Sequence, residues 1–250
     1  MRKTPTIALG IAVSLAFAGG AIAQTDTTPS HTVDMTVKPS KAGTKKKPKA
    51  VSVKLEISSN KAAGTTASRI EIFAPKGLKM NPRGFPVCSE DTLINDGPGA
   101  CPKGSKVGSG TAAAVVNPRG AAPAPVSFTN TFYVASRNRL NINLISSDES
   151  INRTFPVRIG SARGKYGQKL TIDIPADLQQ PAPGIYSALT DITTTLKGTA
   201  GRGSRKHGLW ELSACSARKL DFQTRISYVG NPDPPAAANS TATDSVRCSR

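Results

Sequence analysis

Strict alternation of apolar and polar residues constrains this chain most. Val51, Val53, Leu55 and Ile57 are separated by Ser52, Lys54 and Glu56. Near the other end, Leu220, Phe222, Thr224, Ile226 and Tyr228 are separated by Asp221, Gln223, Arg225 and Ser227. A repeat of two sends successive side chains to opposite faces, so each run is a strand with one face in a core. Further runs read the same way: Ile70 and Ile72; Val107 to Val116, whose small residues let it lie close against a neighbour; Val126 to Ala135; Leu140, Ile142 and Leu144 with Asn141 and Asn143 outward; Phe155 to Ile159; Leu170, Ile172 and Ile174; Ile185 to Leu196; and Leu209 to Leu212. Aromatics make up only 5% of the chain, whereas Val, Ile, Thr, Ser, Gly and Pro are abundant, which favours short strands and turns over packed helices. The expected fold is all-β: a β-sandwich, immunoglobulin-like or jelly-roll-like, of about ten or eleven short strands. No helix is expected beyond the N-terminal signal.

Residues 1–23 have the three parts of a secretory signal peptide. Arg2 and Lys3 are the basic start, Ile7 to Ala18 the apolar run, and Ala21-Ile22-Ala23 the small-residue cleavage site before Gln24. The apolar run is about a dozen residues, against about 20 for a spanning helix, so it reads as a cleaved signal rather than an anchor. Residues 24–50 read as a flexible basic leader with one strand from Thr32 to Val37. Residues 51–230 read as the β-domain, with an internal boundary, if there are two domains, in the Pro/Ala-rich segment 117–125. Residues 231–250 read as a Pro/Ala-rich tail tied by a disulfide.

The formal net charge is +17, of which Arg2 and Lys3 leave with the signal. An exported protein this basic is drawn to anionic surfaces, such as cell-wall polymers or lipid headgroups, in a salt-dependent way. The densest cluster is Lys38, Lys41, Lys45, Lys46, Lys47 and Lys49, the candidate polyanion-binding residues. A solvated arm is the competing reading. Single-stranded nucleic acid is held by basic residues interleaved with aromatic stacking platforms. Here Phe128, Phe132 and Tyr133 are well away from the lysine cluster, so no specific nucleic-acid partner is expected.

Cys88, Cys101, Cys215 and Cys248 form an even set in a chain bound for an oxidising compartment, and two disulfides are expected. Four cysteines allow three pairings. Sequence neighbourhood favours Cys88 with Cys101 and Cys215 with Cys248. The spacings lack the close Cys-x-x-Cys pairs of a zinc site, and a disulfide-bonded Cys215 could not serve as a nucleophile with His207.

Other motifs carry little chemistry. Gly99 to Lys106 inverts the order of Lys and Gly that a phosphate-binding loop requires. Ser58-Ser59-Asn60-Lys61 has the spacing of a serine nucleophile and its lysine without the companion motifs. His31 and His207 lie in polar stretches that read as exposed, so a metal site on them is not expected. Glu90, Asp91 and Asp96 fit a loop better than a calcium site. No catalytic residue, metal or cofactor is assigned.

The stretch Pro86-Val87-Cys88 through Cys101-Pro102-Lys103-Gly104-Ser105-Lys106-Val107-Gly108-Ser109-Gly110-Thr111-Ala112 resembles a pattern in exported, chiefly uncharacterised proteins of high-GC actinobacteria. In those proteins a Cys-Pro-x-x-Ser-x-Val-Gly turn leads into a strand and the preceding Cys supplies its disulfide partner. The resemblance covers about 30 residues; it implies an exported β-domain and transfers no activity.

These readings converge on a secreted or envelope-associated β-domain, leaning to non-catalytic, without a transmembrane segment in the mature chain and held to anionic envelope polymers by its charge. The alternative is a secreted hydrolase whose residues are scattered along the chain. A third reading, a secreted binder of one small ligand, has no distinguishing residue in the sequence.

Overall fold

The computed structural model describes residues 28–60, 65–118, 122–230 and 238–250. The signal-peptide segment lies outside them. In chain order the strands are β1 (His31–Lys38), β2 (Lys49–Ser59), β3 (Thr65–Pro75), β4 (Leu78–Met80), β5 (Lys106–Pro118), β6 (Ala124–Ser136), β7 (Arg139–Ser146), β8 (Asn152–Ser161), β9 (Tyr166–Asp173), β10 (Ile185–Leu196), β11 (Thr199–Ala200), β12 (His207–Gly208), β13 (Trp210–Leu212), β14 (Lys219–Gly230) and β15 (Ala238–Arg247). Two short helices, α1 (Glu90–Asn95) and α2 (Ala176–Gln179), correct the expectation of none. Ser89 caps α1, its side chain accepting from the Thr92 N–H at 3.0 Å. Such single turns are set by caps and packing and leave no long periodic pattern to read.

The fold is all-β and sandwich-like, and its two layers belong to one sheet. Thirteen strands pair in the order β15-β14-β3-β9-β8-β7-β6-β5-β10-β2-β13-β4, with β1 on the free edge of β2, and every pair is antiparallel. The path curls until its ends meet. At the seam β1 and β15 run in the same direction: Lys41 and Ser249 form a parallel bridge, the Ala42 N–H donates to the Ser249 carbonyl (2.8 Å), and the Met35 N–H donates to Asp244 Oδ2 (2.7 Å). Closure matters because a bare strand edge exposes unpaired backbone groups.

Alternation then sorts the side chains. Val51, Val53, Ile57, Leu220, Phe222, Ile226 and Tyr228 are buried inside the curl. The outer face is charged: Lys169 Nζ lies 2.6 Å from Glu71 Oε1, and Lys169 and Arg225 lie 5.7 Å and 5.8 Å from the Phe73 ring centre. An apolar inside and charged outside is the reverse of a barrel that faces lipid. Among the described residues no helix is long and apolar enough to cross a membrane.

Because successive strands run in opposite directions, the connections divide between two ends. At the lower end β13 pairs Trp210 with Val51 of β2 on one side and Met80 of β4 on the other. The Gln168 side chain grips both backbone groups of Met80 (2.6 and 3.3 Å), so this ribbon crosses from β2 to β9 and plugs the curl with Trp210, Leu212, Leu78 and Met80. At the upper end α2 lies over the opening, held by Gln179 Nε2 donating to the Ile174 carbonyl (2.6 Å), by Ser187 Oγ donating to the Leu178 carbonyl, and by the Arg153–Asp177 ion pair.

Three sequence expectations change. The leader is no free arm, because β1 pairs with β2 along its whole length, from His31 opposite Ser59 to Lys38 opposite Ser52. Segment 117–125 joins β5 to β6, which pair from Val116↔Ala124 down to Lys106↔Tyr133 within one sheet. The tail supplies β15, paired with β14 from Tyr228↔Ala238 to Lys219↔Arg247. The strand expected from Thr32 to Val37 is β1, whereas low hydrophobicity hid β15, which the seam completes.

The small residues of β5 do allow close approach: a Cβ on Gly110 would sit 1.8 Å from the Thr193 carbonyl oxygen of β10. Gly110→Ala is therefore expected to cost about 1–3 kcal/mol, measured as a lower urea midpoint with an unchanged m-value.

Candidate functional site

The cysteines stand as two pairs, Cys88 with Cys101 (Cα atoms 5.2 Å apart) and Cys215 with Cys248 (5.9 Å). The first closes a loop carrying α1 against the outside of β6 and β7. The Cys88 N–H donates to the Val134 carbonyl, Asn141 Nδ2 donates to the Cys88 carbonyl, and Leu93 and Tyr133 are buried beneath. This cover is why Asn141, on the outer face of β7, is fully buried. The second ties the end of β15 to the turn before β14, beside the seam. His207 is spent on structure, its Nε2 donating to the Arg83 carbonyl at 2.6 Å with its ring edge-on to Phe85. Glu90 and Asp91 occupy the first turn of α1, where carboxylates favour a helix start.

His31 is corrected. It is buried, not exposed, because β1 lies at the seam. Its Nδ1 lies 2.5 Å from Ser240 Oγ of β15 and its Nε2 2.7 Å from Thr224 Oγ1 of β14, while Ser240 Oγ donates to the Tyr228 hydroxyl (3.2 Å). A neutral ring with its proton on Nδ1 satisfies this chain of bonds. Sequence reading missed the group because its members lie up to 209 positions apart. A serine beside a histidine invites a nucleophile reading. Here, however, the imidazole donates to the serine, Thr224 fills its other nitrogen, and both Ser240 and His31 are buried. The arrangement is a polar lock across three strands.

The candidate interface is the lower end. Lys38, Lys41, Lys45, Lys46, Lys47 and Lys49 are all exposed in the β1–β2 connection there. A tight turn shapes it: the Thr44 N–H donates to the Lys47 carbonyl (3.0 Å) and the Lys47 N–H returns to Thr44 (3.2 Å), leaving Lys45 and Lys46 at the tip. The Gly43 N–H donates to the Leu212 carbonyl of the plug (2.9 Å). The neighbouring connections add exposed cations: Arg137 and Arg139 between β6 and β7, Arg163 and Lys165 between β8 and β9, Lys197, Arg205 and Lys206 after β10, and Arg218, Lys219 and Arg247 around the second disulfide. The described upper connections instead carry Asp148, Glu149 and Asp177. Among the described residues exposed cations thus predominate at the lower end, whose β4–β5 connection also carries Asp91 and Asp96, and the six lysines are one sector of it. Among the described residues no group of three or more His, Cys, Asp or Glu is gathered to hold a metal.

No protein-family model, no curated protein and no solved structure matches this chain.

Burial holds the pKa of His31 below its ordinary value of 6.5. The unfolded chain therefore takes up the proton first, and stability is lost as pH falls below about 6.5 until the folded ring also protonates. Melting temperature is expected to fall between pH 7 and pH 5.5. In His31→Gln it is expected to be lower at pH 7 and flatter across that interval.

Proposed function

We propose that this protein is an exported, non-catalytic β-domain that attaches to anionic envelope polymers by its basic lower end. Export rests on the signal-peptide pattern of residues 1–23, and the two disulfides fit an oxidising compartment. The observation that carries attachment is the axial polarity: connections from opposite parts of the sequence bring their lysines and arginines to one end. An end with an excess of positive charge orients the molecule toward a polyanion, and contacts spread over several loops suit a repeating charged polymer better than a single small anion. The anchored turn at Thr44–Lys47 supports the same reading, since a fixed cation loses less conformational freedom on binding than one on a free arm.

Retention of the purified mature chain on isolated cell walls, anionic vesicles and DNA across a salt series tests the proposal. Wall binding is expected to survive about 0.15 M salt, where exposed charges are screened beyond about 8 Å. Replacing the six lysines from Lys38 to Lys49 with Gln is expected to weaken wall binding at least tenfold and to flatten its salt dependence. Equal loss from all three surfaces at low salt would make the charge a solvated surface only. The alternative is an exported hydrolase whose residues are scattered along the chain. Turnover on ester, peptide or glycan panels that one acidic or serine substitution abolishes without lowering the melting temperature would favour it.

A further inference from the structure

The interior of the curl is incompletely filled. Eleven strands, counted round the path from β1 to β15 without the β13–β4 plug, enclose more space than the eight whose side chains just fill a barrel. An elongated cavity of about 150 Å³ runs from α2 down to Trp210. One wall is low because β5 lines it with Ala112 and Ala114, and with Val116 toward the upper end, between the larger residues of β6 and β10.

The register also places a polar pair in this largely apolar wall. Gly110 stands directly between Asn130 of β6 and Thr194 of β10. With no side chain at Gly110, the two flanking residues meet across it, and Thr194 Oγ1 donates to Asn130 Oδ1 at 3.1 Å. Both residues are 3% exposed and both line the cavity. That bond uses only one end of the Asn130 amide; its NH₂ group makes no hydrogen bond among the described residues. Among the described residues the fully enclosed polar side-chain atoms without a partner are Asn141 Oδ1 and Trp210 Nε1; the Asn130 NH₂ is not one of them, so it opens onto the cavity, where a ligand acceptor can reach it and gain about 0.5–1.5 kcal/mol from the bond. A water molecule is a poor substitute, because it needs two to four polar partners and the surrounding wall is aliphatic and aromatic.

Asp177, at the mouth, is the one charged residue among those lining the space, and its ion pair with Arg153 lies outside. A carboxylate in the interior would therefore meet no cation and would lose its hydration. Entry is past α2, a single turn that reaches the core through Leu178 and is held by few bonds.

We infer that the interior is a binding site for a slender, uncharged apolar molecule with one hydrogen-bond acceptor, of the class of a medium-chain aliphatic ester or ketone, whose carbonyl accepts from Asn130. The site is separate from the basic lower end and does not depend on attachment there.

The chain carries its own reporter, because its single tryptophan, Trp210, lines the cavity. The mature, disulfide-bonded protein is titrated with methyl 8-bromooctanoate, whose bromine quenches indole fluorescence, and in parallel with 1-bromooctane and 8-bromooctanoate. Saturable one-to-one quenching is expected, with the ester bound about fivefold tighter than the bromoalkane, as one added hydrogen bond allows, and the free acid weakest. Asn130→Leu is expected to bind ester and bromoalkane equally. Ala114→Phe, which fills the space, is expected to lose quenching while its melting temperature holds, and Ala112→Leu gives the same readout if that variant does not fold. Quenching that rises without saturation, equal binding of ester and bromoalkane by the wild-type chain, or undiminished binding by the filled variants would each overturn the inference.

Discussion

The seam between β1 and β15 is the constraint on which the rest of the structure depends. Eleven strands in antiparallel succession bring the first and last to the same direction, so the closing pair cannot continue the ladder used elsewhere. Closure is made instead by one parallel bridge at Lys41 and Ser249, by the Asp244 carboxylate accepting from the Met35 N–H, and by His31 reaching Ser240 and Thr224. Side chains thus do work that backbone hydrogen bonds do in the other pairs. The Cys215–Cys248 disulfide holds the end of β15 against the lower end of this seam. A neutral imidazole is the connector because a charged one would have to be desolvated among Ser240, Thr224 and Tyr228.

Closure creates two different ends. The lower one is plugged by the β13–β4 ribbon, so its connections need only be soluble, and they are free to carry charge. The upper one is covered by the single turn α2, fixed by a handful of polar contacts. One end is rigid and cationic, and the other is thinly covered above an apolar interior. The proposed polymer attachment and the inferred ligand site use opposite ends and do not compete.

Much of the fold is legible in the sequence. Alternation locates β2, β7, β9 and β14 and the sides they bury, because a period of two is a local property with a direct packing consequence. Small residues mark β5 as a strand that lies close to its neighbours. At the seam, Val33, Met35 and Val37 mark β1, whereas β15 is hidden. In β15 the inward positions include Ser240, Ala242 and Asp244, and in β1 His31 opens the strand, with polar partners that local sequence does not display. Segment 117–125 reads as a linker because Pro and Ala are ambiguous between an interdomain connection and a hairpin tip, and only the pairing of Val116 with Ala124 separates the two. The basic cluster is readable as residues, whereas its union with Arg137, Arg163, Lys206 and Arg247 is not.

The sequence by itself determined the class of the protein, the buried face of most strands, the sign of its charge and the cysteines available for cross-linking, because composition and short-range periodicity control these. Tertiary structure alone decided the rest: that the layers are one closed sheet, that His31 is a buried connector, that positive charge collects at one end, and that Gly110 lets Asn130 and Thr194 meet across it. Each of these depends on which distant strands become neighbours, and that choice is made by the mutual burial of apolar faces and the satisfaction of backbone groups over the whole chain.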